Sequence, residues 1–386
     1  MVRLFTLAFC FVTASIFARP IMPADTSYAE AWKLVENYTE KQRPQSALEV
    51  VNGIYAKAKR EKNTVNFIKA VAYKLRLEQE LKEDDVVNLI ADLRKEADAA
   101  TFPEKNILHA YLAKAYLGYY NSQSHLISQR TPVVSDSLPQ DITIWDAETF
   151  KIAIFREIDR SLSETNTLQS TTIDKYRDLF SSHQKGAEIV TPTLFDGLAQ
   201  NALDIYRQLG RSRTFRIQNP LLDETDENFP TEAAFEPARK FITQRFPGDS
   251  SAARRALRLY QELLRFHLSS SHTAALIDND LGRLAYVHAV VHTEEGDSLY
   301  VRALENLYQE YIDKEEVAQV AERLIEILLN TDPKKAQTIA EEVIRRHPRA
   351  KFAPNIRNRK RGPLNSADST TTCPSRRMRR SRSGRR

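Results

Sequence analysis

The chain has 386 residues, enough for two domains or one extended helical array, because single domains cluster at about 100–200 residues. Its ten glycines are about a third of the average usage of roughly 7 per cent, which argues against sandwiches, barrels and nucleotide-binding βαβ units. The formal charge of +5 arises at the end of the chain: eleven basic residues and one acid from Arg357 onward give +10, which leaves −5 for the rest. The remainder has no basic stripe, so we expect no nucleic-acid partner.

Residues 1–24 have the pattern of a secretory signal peptide. Arg3 precedes an apolar stretch from Leu4 to Ala18, which is shorter than the roughly 20 residues of a membrane-spanning helix. Candidate cleavage points follow Ala14, Ala18 and Ala24. We therefore expect an exported protein that is periplasmic or associated with the outer membrane. The alternative is a frayed N-terminal helix of a cytosolic protein.

Cysteine occurs only at Cys10, inside the predicted signal peptide, and at Cys373 near the end of the chain. The predicted fold between them has no disulfide framework and no thiolate metal site. Cys10 is a candidate for lipoprotein acylation, although Phe9 stands where a small residue is expected. We expect membrane anchoring only if Cys10 is lipidated.

Residues 25–121 predict an array of amphipathic helices with very short breaks. Ser46, after Pro44, is the predicted N-cap of one of them. The apolar residues that recur at intervals of three and four include Ala47, Val51, Ile54, Phe67, Ile68, Val71, Val86, Leu89, Ile90, Leu93, Leu108 and Leu112. Breaks this short favour antiparallel neighbours, and therefore helical hairpins.

A polar stretch at 122–141 predicts a linker, and residues 142–350 predict a second helical array with a polar insertion at about 210–231. Helical signals fade near the Ser/Thr-rich stretch 161–172. The last helix is the best defined, because Asp332 is a suitable N-cap and Pro333 suits the first helical position. Three apolar stripes precede Pro348: Leu299, Ala303, Leu307 and Tyr311; Val317, Val320, Ala321, Leu324, Ile325 and Leu328; Ala336, Ile339, Ala340, Val343 and Ile344.

These patterns predict an all-α fold, an irregular array of antiparallel helical hairpins that is similar to a tetratricopeptide solenoid without a strict 34-residue period. Residues 351–386 contain few large apolar side chains and predict a disordered basic tail. The abrupt change of composition there also suggests an out-of-frame ending.

We assign no catalytic, cofactor-binding or metal-ligating residue and expect no cofactor. His288 and His292 stand four apart and are the nearest approach to a metal site, but Ala289 replaces the glutamate of a metalloprotease helix. His267 and His272 flank a serine run and are expected at a helix end and in a loop. Charged residues in stretches such as EVAQVAERLIE (316–326) are interpreted as a solvated helix face.

Tyr119 and Tyr120 end a predicted helix. They suit either hairpin packing, which we favour, or the lining of a concave groove.

Five stretches together resemble the N-terminal helical region of alpha-2-macroglobulin-like proteins of the Bacteroidetes type. They are SALEVVNGIYAKAKRE from Ser46, ITIWDAETFKIAIFREIDRSL from Ile142, PTLFDGLAQNALDIY from Pro192, ALIDNDLGRLAYVH from Ala275 and DSLYVRALENLYQEY from Asp297. The resemblance extends over about 28–359. It implies an exported, non-enzymatic platform preceding β-sandwich domains, a bait region and, in many members, a thioester domain that traps proteases.

The chain departs from that pattern, since nothing after Lys360 resembles a β-sandwich and no cysteine lies in a thioester motif. The first hypothesis is therefore a scaffold segment of a protease trap that lacks the trapping parts and would not inhibit a protease covalently. Its partners would be proteases or downstream macroglobulin domains. The alternatives are a self-contained periplasmic adaptor that holds a partner protein and, resting on His288 and His292 alone, a metal-dependent hydrolase.

Overall fold

The computed structural model of the protein describes residues 26–81, 83–132, 138–180, 187–211, 231–247, 251–291 and 293–359. Within these ranges the chain is all-α, as its periodicity predicts, with no strand and one isolated bridge between Thr172 and Thr193. None of the described helices is long and apolar enough to cross a membrane. The predicted signal peptide, most of the predicted polar insertion and residues 360–386 lie outside the described ranges.

The described residues form seventeen α-helices, numbered here in chain order. They are α1 Tyr28–Glu40, α2 Pro44–Glu61, α3 Thr64–Leu81, α4 Glu83–Ala99, α5 Glu104–Ile127, α6 Ala147–Ser161, α7 Thr165–Ser170, α8 Ala187–Val190, α9 Leu194–Arg211, α10 Thr231–Phe235, α11 Ala238–Phe241, α12 Ala252–Leu268, α13 Thr273–Val290, α14 Glu294–Glu310, α15 Val317–Thr331, α16 Pro333–Arg346 and α17 Ala353–Arg359. Two short 3₁₀ helices lie at Ile142–Ile144 and Asp174–Leu179.

The chain divides into two compact units between Glu96 and Ala97. In the first unit, α2 packs against both α1 and α3. The Trp32 ring lies 4.9 Å from the Tyr73 ring, and its Nε1–H donates to Asn66 Oδ1 at 2.8 Å, so the indole is satisfied at the edge of this core. The core consists of Ala31, Trp32, Val35, Ala47, Val50, Val51, Ile54, Ala70 and Leu77.

In the second unit most of the long helices pack in chain order. Helix α5 contacts α6 and α9, and the series continues from α9 through α12, α13, α14, α15 and α16 to α17. The apolar stripes predicted for α15 and α16 are buried, except that Ile344 is partly exposed, and this burial is why each helix covers its neighbour. The tetratricopeptide-like solenoid form of the array remains a prediction.

Of two helix starts predicted from the sequence, the structure confirms one and contradicts the other. Asp332 caps α16 as predicted, accepting the Lys335 amide at 3.0 Å, with Pro333 at the first helical position. In contrast, α2 begins at Pro44 itself with Arg43 before it, so the prediction of Ser46 as N-cap is wrong. Proline has no amide hydrogen that would need a cap, and its fixed φ suits the first turn, so the helix begins three residues earlier than predicted.

The helical segments also extend beyond two predicted boundaries. Helix α5 continues to Ile127, inside the predicted linker 122–141, because Ile127 is buried while the intervening polar residues lie on the open side of the helix. The predicted tail 351–386 begins with an ordered helix, α17, whose Ala353 and Ile356 are buried against α15 and α16. Arg359 of this helix also pairs with Glu322 and Glu326 of α15, at 3.9 and 4.0 Å.

Candidate functional site

The clearest candidate site is a cleft of about 330 Å³ in the second unit, lined by side chains from α9, α12, α13, α14 and α15. Its polar lining consists of Arg207 and Arg323, Tyr260 and Tyr300, Asp278, and the amides Gln200 and Asn279. The volume lies at the lower end of the range of about 300–1,000 Å³ that is typical of ligand sites.

The two arginines are held in the same way, although they lie on different helices. Arg207 donates from Nη1 to Asp204 Oδ1 at 2.5 Å, three residues back on α9, and from Nη2 to Tyr260 Oη at 3.4 Å. Arg323 donates from Nη1 to Glu326 Oε2 at 3.0 Å, three residues ahead on α15. Its Nε donates to Tyr300 Oη at 3.2 Å. Each guanidinium is thus fixed by an acid on its own helix and by a tyrosine on another.

Tyr300, which orients Arg323, is itself held in place by His288. The His288 ring stacks on the Tyr300 ring with centroids 4.2 Å apart and an interplanar angle of 15°. His288 Nε2 is paired with Asp297 Oδ1 at 2.7 Å. Tyr300 therefore has little freedom to turn, and it presents its hydroxyl to Arg323 in a defined position.

The remaining polar groups of the cleft lie on α13 and α9. Burial raises the pKa of the Asp278 carboxyl, and the charge of Lys351 offsets part of that rise. No hydrogen bond or ion pair joins the Asp278 carboxylate to another described residue. Gln200 Nε2 donates to Asn279 Oδ1 at 2.8 Å, which links α9 to α13. The cleft thus offers two oriented cations and one partly buried acid.

Two further depressions lie in the second unit. One, of about 360 Å³, is formed by α10, α11 and α14, and its Glu236 and Lys240 pair at 3.5 Å with exposed side chains. The other, of about 240 Å³, is formed mainly by α6, α9 and α12, and its Arg255 is already paired with Asp159 at 2.8 Å. The second depression is also lined by Arg258 and by the buried Tyr206, whose side chain hydrogen-bonds to Arg255.

The structure describes three of the four histidines considered for chemistry. His288 uses Nε2 for Asp297, and His292 lies outside the described residues. His267 is buried in the last turn of α12, as expected for a helix end, and His272 precedes α13. The part of the chain that the structure describes contains no group of three or more residues suited to hold a metal ion.

Two buried histidine–carboxylate pairs were not foreseen from the sequence. His109 Nδ1 lies 2.7 Å from Glu157 Oε2, and His267 Nε2 lies 2.7 Å from Asp196 Oδ1, all four side chains being almost wholly buried. The partners stand 48 and 71 residues apart, so no local spacing signals them. The first pair joins α5 to α6, and the second joins α9 to α12, two of the helices that line the cleft.

Tyr119 and Tyr120 take the packing role rather than lining a groove. Both are buried, and their rings lie 5.8 and 5.9 Å from the Phe150 ring. They fill the contact between α5 and α6.

Comparison with family models, with curated proteins and with solved structures finds no match for this chain. The structure therefore assigns the protein to a fold class, that of the all-α helical arrays. The resemblance to alpha-2-macroglobulin-like proteins remains a prediction.

Proposed function

We propose that the chain is a non-enzymatic helical scaffold whose second unit holds a protein partner at the cleft between α9, α13 and α15. The observation that carries this proposal is the pair of arginines, each fixed by a tyrosine and still partly exposed, at 35% for Arg207 and 42% for Arg323. Cations that are oriented before binding lose little side-chain entropy on contact, which favours recognition. Arginine and tyrosine are also the side chains that most often dominate protein interfaces.

The more specific form of the proposal is a platform for a protease trap in the periplasm, as the five family-like stretches imply. Asp278 and Asn279 lie in the stretch from Ala275, and Tyr300 lies in the stretch from Asp297. In this form the partner is a macroglobulin domain or a protease. In the other form the chain is an independent adaptor. Both forms use the same cleft, and the predicted signal peptide supports an exported location for both.

The test is retention of a partner by variants of the purified chain. We expect a protein from an extract of the source organism to be retained by the unmodified chain and by Arg302→Gln, which removes an exposed arginine on α14 outside this cleft. The same protein should be lost with the double variant Arg207→Gln/Arg323→Gln, as quantified by mass spectrometry. Equal retention by the double variant would show that the cleft does not hold the partner.

A further inference from the structure

We infer that His267 and His272 together bind one copper ion at the turn between α12 and α13. Neither histidine lines the cleft described above, so this inference is independent of the proposed function. It follows from three observations: two buried ring nitrogens without partners, a carboxylate that fixes the orientation of His267, and the distance between the two rings.

The unpartnered nitrogens lie on the two sides of one short turn. His267 is in the last turn of α12, and His272 directly precedes α13. Nδ1 of each ring is buried and has no hydrogen-bond partner among the described residues. Buried polar atoms without a partner are uncommon in folded proteins, because they lose their contacts with water and gain none in return. Two of them on neighbouring rings indicate a ligand that contacts both.

Asp196 determines which nitrogen of His267 is available for a ligand. Asp196 Oδ1 lies 2.7 Å from His267 Nε2, while Asp196 Oδ2 accepts from the Thr193 amide at 2.9 Å and from the Thr193 hydroxyl at 2.7 Å. Because a carboxylate only accepts hydrogen bonds, Nε2 carries the proton and the lone pair of the neutral ring is on Nδ1. Histidines that bind a metal through one nitrogen commonly donate from the other to a carboxylate in this way.

The distance between the rings allows one metal ion to contact both Nδ1 atoms. The centroids of the His267 and His272 rings lie 5.9 Å apart, with an interplanar angle of 74°. For metal–nitrogen bonds of about 2.0–2.1 Å, two imidazoles that share an ion have centroids about 5.2 Å apart at a tetrahedral angle and about 6.4 Å apart when they are opposite each other. The observed separation lies between these two values.

The donor set favours copper over the other common metal ions. In the part of the chain that the structure describes, no third histidine, cysteine, aspartate or glutamate completes a metal-binding group with this pair. Structural zinc sites use four protein ligands and catalytic zinc sites use three, whereas calcium and magnesium require oxygen ligands. Copper suits imidazole nitrogen, and Cu²⁺ binds a given site more tightly than the other divalent first-row ions.

The probe is copper(II) chloride, titrated into the full chain and followed by isothermal titration calorimetry, with zinc(II) chloride as the matched metal. We expect the unmodified chain to bind copper more tightly than zinc. His272→Gln should abolish this copper site, whereas His125→Gln, which removes an exposed histidine on α5, should retain it. Asp196→Asn should weaken copper binding about 10- to 100-fold, because it changes the group that orients His267.

Thermal unfolding separates loss of the copper site from loss of structure. His272 is partly exposed and takes no part in the Asp196 pair, so His272→Gln should fold as the unmodified chain does, which circular dichroism checks. An ion that binds only the folded state stabilises it. Copper should therefore raise the Tm of the unmodified chain and of His125→Gln, and should leave the Tm of His272→Gln unchanged.

Three results would each overturn the inference. They are absence of copper binding by the unmodified chain, equal copper binding by His272→Gln, and tighter binding of zinc than of copper. The first would show that the two nitrogens share a water molecule only. None of these results changes the test of the partner cleft, because the arginines of that cleft are intact in every variant used.

Discussion

Arg283→Ala is expected to lower the free energy of unfolding of the second unit by about 3–5 kcal/mol, because it leaves a buried aspartate without its partner. Arg283 is 1% exposed, and its Nη2 lies 2.7 Å from Asp280 Oδ1. Its Nη1 donates to the carbonyl of Ala234 on α10, and the guanidinium lies 4.3 Å from the centre of the Phe241 ring on α11. Arg283 thus connects the short helices α10 and α11 to α13.

The measurement is urea unfolding followed by tryptophan fluorescence in a Trp32→Phe background. The chain has two tryptophans, so the remaining Trp145, which is buried in the second unit, reports on that unit alone. Arg302→Ala, an exposed arginine on the neighbouring helix, should change the free energy of unfolding by less than about 0.5 kcal/mol. The double variant Arg283→Met/Asp280→Leu should recover most of the loss. A loss below about 1 kcal/mol for Arg283→Ala would contradict the role given to this ion pair.

Glu157→Gln is expected to lower the free energy of unfolding of the second unit by about 2–3 kcal/mol at pH 7, since it removes a buried charge that accepts charge-assisted hydrogen bonds. Burial alone would raise the pKa of Glu157. The hydrogen bond from His109 and the charges of His109, Arg160 and Arg156 outweigh burial, and the pKa lies below its ordinary value. His109 and Glu157 are 1% and 0% exposed, so solvent screens this pair little.

The loss of stability caused by Glu157→Gln should become smaller at low pH. A carboxyl whose pKa is lower in the folded state contributes stability that is complete above its unfolded pKa, about 4.3 for glutamate, and is lost as the pH falls through the folded value. The difference in the free energy of unfolding between Glu157→Gln and the unmodified chain should therefore shrink below about pH 4. Glu315→Gln, an exposed acid in the turn before α15 of the same unit, is the control. A difference that does not change with pH would show that the charge of Glu157 contributes nothing.

The parts of the fold that depend on local periodicity were predictable. The apolar stripe of α15 and the Asp332–Pro333 start of α16 follow from residues within one or two helical turns of one another. The predicted helix boundaries were wrong where tertiary contacts, rather than local periodicity, decide where a helix lies. Ile127 extends α5 because it packs on other helices, and Ile356 is ordered for the same reason. The neighbouring residues in the sequence are mostly polar, so local periodicity does not reveal that Ile127 and Ile356 are buried.

The candidate site could not be derived from the sequence in the same way. The stretch EVAQVAERLIE was interpreted as having a solvated charged face, yet its Arg323 donates to Tyr300 on the preceding helix. Periodicity identifies the polar face of a helix but not which distant side chain that face meets. Arg207 and Tyr260 are 53 residues apart, and their contact arises only when α9 and α12 pack.

The central claim is that the cleft of the second unit contacts a protein partner, and site-specific photo-crosslinking tests it most directly. A benzophenone-bearing phenylalanine replaces Leu281, which lines the cleft, and in a control chain it replaces Ile152, which is 50% exposed on α6. After irradiation in cells of the source organism, we predict a discrete crosslinked protein at position 281 that is absent at position 152 and absent when Arg207→Gln/Arg323→Gln is added. A partner that crosslinks at position 152, or at both positions regardless of the arginines, would contradict the account.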